Sequence, residues 1–119
     1  MKVRDKNTIL AGLIRKLDEK GRQENVPLWG ALAEKLNRPR RIAYEVNLST
    51  LERHAKAKEK IIVPGYVLGT GALTKPLTVA ALKFSRIAEE RIKKAGGSSM
   101  SIEKFIDENP KAKGIRIMG

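Results

Sequence analysis

The chain has no cysteine, one histidine and only five aromatic side chains among 119 residues. Without cysteine there is no disulfide framework, no thiolate chemistry and no cysteine-based zinc site. A reducing compartment fits this composition. His54 has no thiol to share a metal with, and Glu52, two residues away, faces elsewhere on a helix, so the imidazole reads as a helix-surface group rather than a general base. Glu89-Glu90 and Asp107-Glu108 are adjacent pairs that diverge on helices, unlike the convergent carboxylates of a hydrolase. The sparse aromatics argue against a base-stacking sheet of the kind single-strand RNA binders use. No apolar run approaches the ~20 residues that span a bilayer, and charges interrupt the N-terminal stretch before a signal-peptide core can form. No membrane partner, metal, cofactor or small-molecule substrate is expected, and no catalytic residue is assigned.

Acidic residues are also scarce: 25 Lys and Arg face 13 Asp and Glu, a net charge of +12. A thermophile surface raises both signs together, so a two-to-one imbalance points to a polyanionic partner, nucleic acid first. The cations are grouped. Arg38, Arg40 and Arg41 sit on a segment stiffened by Pro39, where guanidinium forks suit phosphate contacts and little backbone entropy remains to be lost. Lys2, Arg4 and Lys6 form a basic arm, and Lys111 with Lys113 a second basic stretch near the other end, each expected to order on RNA. Lys60, Lys75, Lys83 and Arg86 complete the candidate RNA-binding set.

Length fits one domain with a single modest core. A helix is expected from Asn7 to about Glu24, with Ile9, Leu10, Leu13, Ile14 and Leu17 as its apolar stripe. Pro27 starts a second, whose Trp29, Leu32, Ala33 and Leu36 share one face, with Trp29 as a core anchor. A short strand at Ile42 to Val46 leads to a third helix at Asn47 or Ser49, where Ser49 and Glu52 are spaced as a capping box. Ile61 to Val63 reads as a strand. Pro64 opens a glycine-rich turn, whose Gly65, Gly69 and Gly71 let backbone pass close to another protein segment or to RNA. Neither a dinucleotide fingerprint nor a phosphate-cradling loop is complete there, since Thr74 replaces the third glycine and Ala72 follows Gly71. Thr78 to Phe84 is a buried strand, Ser85 the N-cap of a helix whose Phe84, Ile87, Ala88 and Ile92 stripe is buried, and Gly96-Gly97 its stop. A polar strand at Ser98 to Ser101, a helix at Ile102 to Glu108 and a strand at Ile115 to Met118 follow. Periodicity supports a mixed α and β domain without a long parallel-sheet pattern.

The order Leu68, Gly69, Gly71, Leu73, then Leu77-Thr78-Val79, Phe84-Ser85, Ala88 and Ala95-Gly96-Gly97 resembles the large-subunit ribosomal protein family of bacterial protein fifteen and archaeal and eukaryotic protein eighteen-e. The likeness runs from Pro27 to Met118 and looks closest to the archaeal form. Tyr66 stands where many relatives carry Lys, so no phosphate contact is carried over to it. The resemblance implies an N-terminal helical pair followed by an irregular strand-strand-helix superhelical coil, with residues 1–26 as arm and first helix and 27–119 as family core. It implies a structural, non-enzymatic protein of the cytoplasmic large ribosomal subunit. The implied partners are large-subunit (23S-type) rRNA and neighbouring ribosomal proteins, with large-subunit protein four among them. A nucleoid protein on duplex DNA is the competing class, and it would need a recognition helix or a dimer seam that the pattern lacks. An RNA-processing enzyme built on His54 lacks catalytic partners.

Overall fold

The computed structural model describes residues 8–37, 44–109, 111 and 114–118. Ten elements follow in chain order: α1 (Thr8–Gln23), α2 (Pro27–Leu36), β1 (Tyr44–Asn47), α3 (Leu48–His54), β2 (Lys60–Leu68), β3 (Thr78–Phe84), α4 (Arg86–Lys94), β4 (Ser98–Ser101), α5 (Ile102–Glu108) and β5 (Ile115–Ile117). Helix ends follow local chemistry. Ser85 Oγ accepts the Ala88 N–H at 3.1 Å and Ser101 Oγ the Lys104 N–H at 3.3 Å, so both serines cap as their side chains allow. Gly97 N–H donates to Ile92 O and Gly96 N–H to Lys93 O, both at 3.0 Å, the paired closure of a helix that ends in a left-handed residue.

The strands form one parallel sheet, β1-β2-β3-β4, with β5 also on β2. The parallel pattern is hidden in the sequence because β1, β4 and β5 are only three or four residues long and partly exposed, so that only β2 and β3 carry apolar runs. β2 is nine residues long and does not stop at Val63. Its pairing to β3 slips between Val63 and Tyr66, and its other edge changes partner from β5, opposite Lys60 to Ile62, to β1, opposite Gly65 to Leu68. Pro64 falls in the gap, where no ladder partner lacks its N–H, so a proline that reads as a strand breaker sits in the central strand.

Alternation along the strands feeds two cores. Ile61, Val63, Val67, Val79 and Ala81 meet α3 and α4, while Ile62 and Ala80 meet α1, α2 and α5. Trp29, Leu32 and Ala33 are fully buried in the second core and Leu36 nearly so, which bears out the anchor role of Trp29. Two apolar positions depart from expectation: Ile9, at the start of α1, is 86% exposed, and Ile87 is 54% exposed. Lys16 ties α1 to α5 through Asp107 at 3.2 Å and Glu103 at 3.5 Å, and the hydrogen bond to Asp107 raises its pKa.

Phe105→Ala should cost about 3 to 5 kcal/mol because a fully buried ring of the second core leaves a cavity. Ile9→Ala should change stability by less than about 0.5 kcal/mol. Urea denaturation of the two variants measures both.

Candidate nucleic-acid interface

Nine residues, 69–77, connect β2 to its parallel neighbour β3. They must carry the chain back along β3, whose seven residues span about 20 Å. Coiled as a helix, nine residues would cover only about 13 Å, so the connection has to run extended. Leu73 packs on the first core, which puts this return path over the α3 and α4 face. The chain is threaded between those two helices, and the glycines stand where it is tightest.

A Cβ on Gly69 would lie 2.7 Å from Ile87 Cγ2 and 3.0 Å from Ala88 N. On Gly71, held at φ +93°, it would lie 2.6 Å from Ser49 Cβ. Of the two occupants left open by the sequence, protein takes the space at both positions. Gly65 is a correction: it is no turn residue but part of β2, and a side chain there would run into the Tyr44 carbonyl of β1.

The connection is clasped along its length. Arg91 Nη1 donates to Gly69 O at 2.9 Å and to Gly71 O at 2.6 Å, and the Ser49 N–H donates to Thr70 O at 3.1 Å. Glu52 accepts from the Thr74 N–H at 3.0 Å and from the Thr74 hydroxyl at 2.7 Å. Glu52 is therefore not the partner of a capping box, and α3 has no side-chain cap at Asn47. The two Thr74 bonds hold the Glu52 carboxyl below its ordinary range. Lys75 Nζ donates to Glu52 O at 2.6 Å and Ala55 O at 2.8 Å, satisfying carbonyls at the end of α3.

The candidate cations divide accordingly. Lys75 uses two of its three N–H groups inside the fold. Lys60 donates to Asn109 Oδ1 at 2.9 Å. Lys111 pairs with Glu24 at 2.6 Å, so it is tied to the α1–α2 connection within the fold, and that hydrogen bond lowers the Glu24 pKa. Arg86 lies one turn from Glu90 at 3.4 Å on an open surface, where such a pair contributes little. Lys83 is exposed and makes no hydrogen bond or ion pair among the described residues. Lys2, Arg4, Lys6, Arg38, Arg40, Arg41 and Lys113 lie outside the described residues.

Arg91 is the residue that sequence reasoning missed. Its spacing of four from Ile87 places both on the helix side that meets the glycines, but that signal is silent until α4 is known to pack there. With Lys94 it lines a hollow of about 470 Å³ beside Ala72, Leu73 and Thr74. Thr70, Ala72 and Thr74 are exposed and small, so a phosphodiester backbone can approach this rigid ridge closely while Arg91 and Lys94 offer charge. His54 is exposed at the end of α3, and its carbonyl accepts from Arg116 at 2.9 Å. Among the described residues no group of three His, Cys, Asp or Glu gathers to hold a metal ion, and no helix is long and apolar enough to cross a membrane.

A family profile described as ribosomal proteins 50S-L15 and 50S-L18e, together with their 60S counterpart, matches residues 30–100. Three curated archaeal relatives carry the name large ribosomal subunit protein eL18. The one from Archaeoglobus fulgidus is 46% identical over 116 residues, covering 98% of this chain and 99% of its own length. That from Methanothermobacter thermautotrophicus is 40% identical over 117 residues, 98% of this chain and 97% of the relative. The Haloarcula marismortui protein is 42% identical over 112 residues, with 94% and 96% covered.

Gly71→Val should cost about 1 to 3 kcal/mol, since the β-branched side chain meets both an unfavourable φ and α3. Ala72→Val, next to it and exposed, should change stability by less than about 0.5 kcal/mol. The midpoints of urea unfolding measure both. The Glu52 carboxyl has a lowered folded pKa, so its stabilisation is present above the ordinary value of 4.5 and is lost as pH falls through the folded pKa. Carbon-13 titration should place the Glu52 midpoint below 4.5, and Glu52→Gln should flatten the acid limb of the stability curve there.

Proposed function

We propose, from the premise that the chain belongs to the family of ribosomal proteins 50S-L15 and 50S-L18e, that it is a structural constituent of the large ribosomal subunit. On this reading it works in the cytoplasm as part of the ribonucleoprotein, supports translation by fixing the fold of large-subunit rRNA, and catalyses nothing itself. The observation that carries the RNA assignment is the net charge of +12 on a chain of this family. Arg38, Arg40, Arg41, Lys83 and Arg86, with the basic arm of Lys2, Arg4 and Lys6 and with Lys113, supply phosphate contacts. Lys60, Lys75 and Lys111 contribute with whatever N–H groups their internal partners leave. Gly69 and Gly71 act one step back, by allowing the clasped ridge that presents Thr70, Ala72 and Thr74.

Residues 1–119 act as one ribosomal-protein domain with 27–119 as the family core. The crossovers β1–α3–β2 and β3–α4–β4 are then turns of the irregular coil that the family resemblance implies. Neighbouring large-subunit proteins, protein four among them, complete the environment.

Affinity for large-subunit rRNA should fall about a thousandfold between 50 and 200 mM salt if about six phosphates are contacted. Replacing Arg38, Arg40 and Arg41 together by Ala should lower incorporation into subunits with little change in thermal stability. A flat salt dependence removes the electrostatic basis of this reading, and wild-type incorporation of the triple variant reduces the cluster to a solvated surface.

A further inference from the structure

The carboxyl ends of β1, β2 and β3 carry a row of three side chains that the described residues leave exposed. Parallel register sets Glu45 beside Tyr66 and Tyr66 beside Lys83. The next residues on, Val46, Val67 and Phe84, all pack in the α3 and α4 core. Pleat alternation therefore turns Glu45 and Tyr66 to the opposite face, and Lys83, which follows Leu82 of the second core at the slip in register, lines the same hollows as Tyr66. Further back along the strands that face is covered by α1, α2 and α5, but here Glu45 and Lys83 are exposed and Tyr66 is 40% exposed. None of the three side chains makes a hydrogen bond, ion pair or ring contact among the described residues. A hollow of about 350 Å³ opens beside Tyr66 and Lys83, bordered by Ile9, Leu13, Leu82 and Glu103, the last paired with Lys16.

An occupant of this place has to offer three things at once: a flat apolar face for the tyrosine ring, an anion for the unpaired ammonium and N–H donors for the unpaired carboxylate. An apolar protein segment supplies the first and leaves two charges to be desolvated without partners. A nucleotide supplies all three, and on a chain of net charge +12 the polyanion is also the partner the surrounding field attracts. We infer that the Glu45, Tyr66 and Lys83 row seats a single unpaired nucleotide of the rRNA, with its base stacked on Tyr66, its phosphate on Lys83 and its base edge donating to Glu45. Guanine fits best, because its adjacent ring and exocyclic N–H groups match the two oxygens of one carboxylate. One aromatic suffices for this, as stacking is a per-base contact and needs no sheet of rings. The inference rests on the rRNA reading above and names a place and a chemistry within it.

Stacking and charge leave different signatures when affinity for large-subunit rRNA is measured across salt concentrations. Tyr66→Leu keeps an apolar strand residue and should weaken binding about five- to a hundredfold with the salt slope unchanged, while Tyr66→Trp should bind within about twofold of wild type. Lys83→Ala should shallow the slope by about one unit. Glu45→Gln decides the edge contact by its sign: weaker binding supports base recognition, whereas tighter binding means that the carboxylate only repels the backbone and overturns that assignment. If Tyr66→Leu binds as wild type while wild type keeps its steep salt dependence, the nucleotide seat is overturned and the RNA reading stands. If Tyr66→Leu binds free rRNA normally yet is lost from subunits, a protein covers the row and the inference is again overturned. A wild-type protein with no salt-dependent rRNA binding overturns both.

Discussion

A nine-residue return between two parallel strands sets the terms for the rest of this molecule. Most parallel pairs are joined through a helix that spreads the connection over a dozen or more residues. Here the chain has to come back extended across one face of the sheet, and an extended backbone without a partner strand has N–H and C=O groups to satisfy. The surrounding elements answer that need. Arg91 takes two carbonyls, the Ser49 N–H takes a third, Glu52 receives Thr74, and Lys75 turns back to close the end of α3. The return is thereby held along its length, although it carries no regular structure.

A loop already clasped presents its small exposed residues and flanking cations with little left to order, so a partner that meets it binds at a smaller entropic cost. The same logic explains why several cations expected at the RNA are occupied inside the protein. Lys75 and Lys60 satisfy backbone or amide oxygens, and Lys111 steadies the α1–α2 connection. Charge excess and free cations are thus separate quantities: Lys75, Lys60 and Lys111 spend their ammonium groups inside the fold, whereas the Lys83 side chain has no partner among the described residues.

The central strand shows a second constraint. β2 serves β3 on one edge and both β5 and β1 on the other, and the changeover falls at Pro64 and Gly65. Proline contributes no donor there, and glycine lets the Tyr44 carbonyl of β1 come close. Unbroken alternation from Ile62 keeps Tyr66 on the face opposite the Val67 core, and the slip in register sets it beside Lys83, at the edge of the cover that α1 provides.

The sequence by itself determined what depends on neighbours a few residues apart. The α1 stripe from Leu10 onward, the α2 stripe, the Ser85 cap, the Gly96-Gly97 stop and the span from Thr78 to Phe84 all follow from short-range periodicity and capping, and the structure has each of them, with Ile9 left outside the α1 stripe. Charge and the ordered glycine and apolar residues from Leu68 to Gly97 also carried the family, because a net count and a motif need no coordinates. Tertiary structure decided whatever required two distant segments to meet. Pro64 and Gly65 look like a turn until β5 and β1 are seen to share an edge of β2. Glu52 looks like a cap for Ser49 until Thr74 arrives from 22 residues away. Arg91 looks like ordinary helix surface until the glycine segment is laid against it. In each case the deciding partner comes from far along the chain, and local spacing carries no signal of it.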